Sequence, residues 1–162
     1  RHEAWLFGDC QIMVNGEQIP TVKHVDELLG ELRAFTVLAL RSKGEHQSPA
    51  VAATDPARAM ILPFLRLQSQ FANKRGPYGY FVFDGFTDPT YPIRTVNINP
   101  GDEVVLASDG YPLLRPSLAQ SERELQRLKR EDPELISEYQ STKGFTPDND
   151  SFDDRTYLRF IA

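Results

Sequence analysis

The sequence has little cysteine and no long apolar run. Its 162 residues include one cysteine, Cys10, which excludes an intrachain disulfide framework and a Cys-rich zinc cluster. We expect Cys10 to pack as a small buried side chain rather than to act as a nucleophile. Because no apolar run approaches the roughly 20 residues that cross a bilayer, we expect no membrane partner. A lone cysteine suits a reducing compartment, so we expect a cytoplasmic protein.

Positive charge is outnumbered by negative charge. The chain has 18 Lys and Arg against 23 Asp and Glu, which gives a formal net charge of −5. The basic residues are scattered along the sequence instead of forming one stripe, so we do not expect nucleic acid to be a partner. A surplus of carboxylates can hold divalent cations, although most such carboxylates form a solvated surface.

Strand patterns are short and separated by turn signals. We predict strands at residues 4–7, 11–14, 78–83, 93–99, 103–108 and 157–161. Asn15 and Gly16 form a strong hairpin signal after the second strand, so we predict that the first strands make a β-meander. The run from Val104 to Ala107 is continuously apolar, which a strand covered on both faces requires, and it predicts a central strand.

Helical patterns occur in blocks between these strands. A 3.6-residue apolar repeat predicts a helix at about 24–43, and a loop follows at 47–54. Asp55 and Pro56 are typical of a helix start; we expect Pro63 to kink or divide this second helix. Ser117 predicts the start of a third helix, and Asp132 with Pro133 that of a short fourth one. Since strands and helices do not alternate strictly, we predict an α+β fold, an antiparallel β-sandwich flanked by helices, in a single domain spanning 1–162.

Three aspartates lie at strand ends, which are rigid platforms for a site. Asp9 follows the first strand, Asp109 follows the central strand, and Asp153 shortly precedes the last strand. Neighbouring glycines leave room for ions and waters. Isolated carboxylates brought together can hold Mg²⁺ or Mn²⁺, which prefer oxygen ligands. Each segment, taken singly, is also an ordinary turn or loop sequence.

Three segments in the same order resemble the type 2C metal-dependent protein phosphatases of bacterial type. Residues 5–10, WLFGDC, are similar to the family's strand entering a Gly-Asp-Ser turn, with Cys10 in place of the serine. Residues 104–110, VVLASDG, are similar to its apolar strand running into Ser-Asp-Gly. Residues 153–156, DDRT, resemble its closing Asp-Asn-x-Thr or Asp-Asp-x-Thr motif.

The resemblance implies hydrolysis of phosphoserine and phosphothreonine monoesters on proteins by a binuclear Mn²⁺ or Mg²⁺ centre. Asp109 and Asp153 would bind the metal pair, and Asp9 together with Asp109 would bind an accessory third metal. Gly110 and Asp154 would neighbour these ligands. The resemblance assigns no catalytic residue in this chain beyond the metal ligands, and the partner it implies is a phosphorylated protein substrate.

The family also has an N-terminal half that bridges both metals through an Asp-Gly motif and binds phosphate through basic residues. The resemblance therefore implies that this chain is the C-terminal portion of such a domain, incomplete at its N-terminus and inactive alone. An incomplete sandwich exposes strand edges, which could pair two copies into a homodimer.

Two other functions fit the same residues. The chain could be a catalytically inactive, phosphatase-like binding or regulatory module, since one fold hosts many functions. It could also belong to an unrelated metal-dependent fold that hydrolyses phosphoesters with the same carboxylates, although such a fold would not explain the order of the three segments.

Overall fold

The fold is mixed α+β, as the sequence predicts. The computed structural model describes residues 2–21, 23–45, 54–85, 88 and 90–162. In these ranges the elements are β1 (Glu3–Leu6), β2 (Gln11–Val14), β3 (Glu17–Ile19), α1 (His24–Ser42), α2 (Pro56–Leu67), a 3₁₀ turn (Gln68–Phe71), β4 (Arg94–Asn97), β5 (Glu103–Ala107), α3 (Leu118–Glu131) and β6 (Tyr157–Ile161). All but the end of the loop predicted at 47–54 lies outside the described residues.

The strands form two antiparallel sheets. β1 pairs with β4, and the other four strands are ordered β3-β2-β5-β6. β5 therefore lies between two neighbours, and Val104 and Val105 are 0% and 1% exposed, which confirms the predicted central strand. Asn15 and Gly16 connect β2 to β3 as a hairpin, also as predicted.

The predicted β-meander is wrong at its first step, because β1 pairs with β4 and not with β2. Gly8 has a φ of 62°, a left-handed conformation that glycine adopts without steric cost. Its N–H donates to the carbonyl of Phe81 at 2.8 Å. The chain is thereby redirected at this point and passes from one sheet to the other.

The two sheets share a hydrophobic core. One face of the four-stranded sheet, with Ile12 and Val104, packs against Leu6 of β1 and Ile98 at the end of β4. The opposite face of the same sheet is covered by a second cluster: Met13, Val105, Ala107, Tyr111 and Leu114. Apolar contacts on both faces explain why β5 has no polar alternation.

Helices α1 and α2 pack against each other and against the segment after α3. The carboxylate of Asp55 accepts the Arg58 N–H at 2.8 Å, which confirms the predicted start of α2. The helix continues through Pro63, so it is not divided there. Arg33 of α1 is fully buried; its Nε donates to Asp55 at 2.9 Å and its Nη1 donates to the Glu134 carbonyl at 2.7 Å. This buried arginine ties both helices to the 132–145 segment.

The predicted strand at 78–83 does not form. Tyr80 makes only an isolated bridge to Ala72, and its N–H donates to the carbonyl of Phe71 at 3.3 Å. The backbone near Gly79 lies so close to the Lys74 carbonyl that a Cβ on Gly79 would approach it to 1.8 Å. The segment therefore folds back on the 3₁₀ turn that follows α2 and on the residues just after it instead of extending a sheet, although its aromatic residues favour strands.

The predicted fourth helix at Asp132 and Pro133 is also absent. Asp132 instead ends α3. Its carboxylate accepts the N–H groups of Ile136 and Ser137 at 3.1 and 2.9 Å, four and five residues further along the chain, whereas a helix N-cap accepts from the second or third residue after it. Leu135 has a φ of 51°, which a right-handed helix does not allow, so the helix predicted to start here does not form.

β6 is an edge strand of the larger sheet and carries exposed apolar side chains, among them Leu158 and Ile161, which are 54% and 63% exposed. A homodimer formed through strand edges stays a prediction. In the described part of the chain, none of the helices has the length and apolar character needed to cross a membrane.

Candidate metal centre

Asp9, Asp109 and Asp153 line one cavity of about 730 Å³. The strand register explains how they meet. Gln11 of β2 pairs with Ala107 of β5, and Ala107 also pairs with Tyr157 of β6. Asp9 and Asp109 therefore lie two residues beyond this row of paired residues, at the same end of the sheet, and Asp153 reaches that end in the segment before β6.

The surroundings of Asp109 disfavour the ionised form of its carboxylate. Burial raises its pKa, and the nearby charges of Asp9 and then Asp153 raise it further, to about 6, although Lys143 opposes the shift. At neutral pH the folded protein therefore holds an ionised carboxylate at a free-energy cost. A cation close to Asp109 would relieve that cost.

Lys23 neutralises one of the three carboxylates. Its Nζ lies 3.0 Å from Asp9 and 2.9 Å from Asp26, and 4.9 Å from the centre of the Tyr80 ring. Burial disfavours the charged ammonium, but Asp26 and Asp9 outweigh it and raise the pKa of Lys23. Burial also raises the pKa of Asp26, against the effect of Lys23.

Lys143 neutralises a second carboxylate. Its Nζ lies 2.7 Å from Asp153, and both side chains are about two-thirds buried. With Lys23 on Asp9 and Lys143 on Asp153, two of the three candidate ligands already have a positive partner. Within the described ranges, no group of three or more His, Cys, Asp or Glu side chains is positioned to hold a metal ion.

The chemistry of the three carboxylates nevertheless fits a hard divalent cation. They offer carboxylate oxygens, the ligands that Mg²⁺ prefers, and Asp109 carries an unfavourable negative charge. Cation binding would require Asp9 and Asp153 to leave their lysines. The donor atoms and their charge therefore suit a divalent cation, but a cation can bind all three carboxylates only after the two ion pairs open.

Gly110 and Ser108 join the Asp109 turn to the segment that holds Asp153. Gly110 is buried against the backbone of Asp154. The Ser108 hydroxyl donates to the Asp154 carbonyl at 3.2 Å and accepts the Thr156 N–H at 2.9 Å. Asp154 thus contributes its backbone to this junction, and it also lines a second cavity, together with Asp153.

The expectation that Cys10 is buried is wrong, because its side chain is exposed. Partial desolvation raises the pKa of its thiol, and Asp9 and Asp109 raise it further. The thiol therefore stays protonated at neutral pH, which makes it a poor nucleophile. Among the histidines, His24 lines the cavity and stacks on Tyr78 at 5.2 Å between ring centroids.

Sequence reasoning missed three residues of this region: Lys23, Lys143 and Gln11. The two lysines lie in no pattern that distinguishes them from surface lysines. Gln11 did carry a signal, because it is a polar residue at the start of the otherwise apolar strand β2; in the structure it is only 9% exposed. A buried side-chain amide needs hydrogen-bond partners.

The chain matches no protein-family model, and neither a curated protein nor a solved structure shows significant similarity to it.

Proposed function

We propose that the protein containing this chain is a type 2C metal-dependent serine/threonine phosphatase. The observation that carries the proposal is the convergence of Asp9, Asp109 and Asp153, far apart in sequence, on one cavity. Their order and strand contexts are those of the family motifs that they resemble. The proposed substrates are phosphoserine and phosphothreonine on proteins, and the proposed compartment is the cytoplasm.

In this proposal Asp109 and Asp153 hold a pair of Mn²⁺ or Mg²⁺ ions, and Asp9 with Asp109 holds a third. Such ions activate water and stabilise the charge of a phosphoryl group under in-line attack. The resemblance further implies that another part of the protein supplies a bridging Asp-Gly motif and the basic residues that bind phosphate.

Two other side chains of the cavity suit a phosphoryl ligand. Lys143 brings a positive charge to the side of the cavity where Asp153 lies. Burial, followed by the surrounding carboxylates, raises the pKa of Tyr139 to about 12. Its phenol therefore stays protonated and can serve as a hydrogen-bond donor. In the proposal, both groups help to orient the substrate rather than to transfer protons.

The alternative function is a catalytically inactive phosphatase-like module that binds partners or regulates them. It is favoured by the ion pairs of Lys23 with Asp9 and of Lys143 with Asp153. In such a module the two ammonium groups would permanently take the place of the cations, and the fold would need no metal to balance its carboxylates.

The deciding experiment is hydrolysis of p-nitrophenyl phosphate and of a phosphothreonine peptide by the full-length gene product, with and without Mn²⁺. We expect Mn²⁺-dependent turnover that Asp109→Asn and Asp153→Asn each abolish. Asp150→Asn is the matched control, because the Asp150 side chain is 88% exposed and lies three residues from Asp153. Absence of Mn²⁺-dependent turnover from a folded wild-type protein would instead support the inactive module.

A further inference from the structure

Gln11 binds both ends of the turn that carries Asp109. Its Nε2 donates to the carbonyl of Ser108 at 2.8 Å and to the carbonyl of Tyr111 at 2.8 Å. Asp109 and Gly110 lie between these two carbonyls in the sequence. One buried amide therefore uses both of its hydrogens to fix the entry and the exit of the turn.

A second glutamine sets the orientation of this amide. Gln18 of β3 donates from its Nε2 to the Oε1 of Gln11 at 2.8 Å. Because Oε1 accepts this bond, the NH₂ end of Gln11 must face the two carbonyls. The three hydrogen bonds agree on one orientation of the amide. A glutamate or a methionine at position 11 could not donate to either carbonyl.

The turn is also held from its other side, where Ser108 bonds to the backbone of Asp154 and Thr156. Gln11 itself lies two residues after Asp9. The strand start that follows Asp9, the Asp109 turn and the Asp153 segment are therefore joined by side-chain hydrogen bonds, and Gln11 makes the connection between the first two.

We infer that Gln11 is a positioning residue, which fixes the turn that carries Asp109, a ligand of the proposed cation site; this inference rests on the proposed function. Gln11 does not itself bind the ion. Groups that orient metal ligands through hydrogen bonds typically contribute about 10- to 100-fold to metal affinity. Loss of the two Gln11 bonds leaves the Ser108 and Tyr111 carbonyls without this donor and frees the turn.

The test is Mn²⁺ affinity, measured by calorimetry on the folded full-length gene product, for wild type and Gln11→Met. Methionine has a similar length and removes both donors. We expect the affinity to fall by about 10- to 100-fold. The matched control is Thr36→Val, because Thr36 is also 9% exposed and also donates to a backbone carbonyl, that of Leu32, but does not line the cavity. Its Mn²⁺ affinity should equal that of the wild type.

A second readout follows the turn directly. NMR order parameters of the Asp109 and Gly110 amides should fall in Gln11→Met from about 0.85 towards 0.6, and they should be unchanged in Thr36→Val. If the wild type binds Mn²⁺ and Gln11→Met binds equally well with an equally rigid turn, the inference is wrong and the proposed cation site stands. If the wild type binds no Mn²⁺, the cation site fails, and with it this role of Gln11.

Discussion

Gly110 contacts the backbone of Asp154 so closely that a Cβ on Gly110 would lie 2.3 Å from the Asp154 carbonyl oxygen. The turn after β5 and the segment before β6 therefore touch at a point where no side chain fits. Asp109 precedes this glycine and Asp153 precedes the contacted residue, so the contact brings together the backbone segments that carry the two carboxylates.

Gly110→Ala should force the two segments apart. Gly110 is not in the left-handed region, so its substitution acts through the clash, which should cost about 1–3 kcal/mol of stability as overpacking does. We expect Mn²⁺ affinity to fall as well. Gly101→Ala is the control: it meets open space, but its φ of 91° imposes backbone strain of about 1–3 kcal/mol. Equal Mn²⁺ affinity in the two variants would contradict the account.

Asp109→Asn should stabilise the metal-free protein at pH 7.5. The pKa of Asp109 in the folded protein, about 6, exceeds its usual value of 3.8, so the ionised carboxylate destabilises the fold. This loss of folding free energy is complete above about pH 6, where Asp109 is ionised in the folded protein, and disappears below about pH 4. It is at most ~3 kcal/mol at about 1.4 kcal/mol per pKa unit, and solvent screening reduces it to about 1–2 kcal/mol.

Chemical denaturation in the presence of EDTA measures this effect. The gain from Asp109→Asn should be present at pH 7.5 and absent at pH 4. Asp102→Asn is a control of opposite sign, because hydrogen bonds from Asn15 and Asn99 lower the pKa of Asp102. That substitution should lower stability at pH 7.5. A gain from Asp109→Asn that is equal at both pH values would show that charge is not its cause.

Mn²⁺ affinity should depend on pH through Asp109. Metal ligands must be deprotonated, and the pKa of Asp109 is about 6 in the folded protein. Above pH 7 the affinity should be nearly constant, and below pH 6 one competing proton should reduce it by up to about tenfold per pH unit. Calorimetry between pH 5 and 8 measures this slope. In Asp109→Asn any remaining Mn²⁺ affinity should no longer fall below pH 6. A wild-type Mn²⁺ affinity that stays constant down to pH 5 would exclude Asp109 as a ligand.

Lys143→Met should strengthen Mn²⁺ binding at pH 8, where Asp109 is ionised. The Nζ of Lys143 lies 2.7 Å from the carboxylate of Asp153. This ion pair must open before a cation can bind Asp153. Partly exposed ion pairs contribute up to about 1 kcal/mol, so the affinity should rise by about 2- to 5-fold. Lys129→Met, whose ammonium lies 3.9 Å from the exposed Asp150, is the control. A lower affinity in Lys143→Met would mean that Lys143 holds Asp153 in place rather than competing with the ion.

The parts of the fold that local chemistry determines could be predicted from the sequence. The apolar run of β5, the hairpin at Asn15 and Gly16 and the helix starts at Asp55 and Ser117 each depend on residues close in sequence, and the structure contains all of them. The convergence of the three aspartates follows from the antiparallel register of β2, β5 and β6.

Features that depend on distant contacts could not be predicted. The pairing of β1 with β4 depends on the direction the chain takes at Gly8. The segment at 78–83 has strand-forming residues, but Tyr80 makes its backbone hydrogen bonds to Phe71, in the 3₁₀ turn, and to Asn73, just after it. Lys23 and Lys143 reach the carboxylates only through tertiary structure, so their sequence neighbours give no sign of the ion pairs.

The most direct test of the central claim is calorimetric titration of Mn²⁺ into the full-length gene product, as the wild type and as Asp109→Asn, Asp153→Asn and Asp150→Asn, at pH 8. The account predicts saturable binding to the wild type and to Asp150→Asn, and at least tenfold weaker binding, or none, to the other two. Equal binding by all four proteins, or no binding by a folded wild type, would contradict a divalent-cation site formed by Asp9, Asp109 and Asp153.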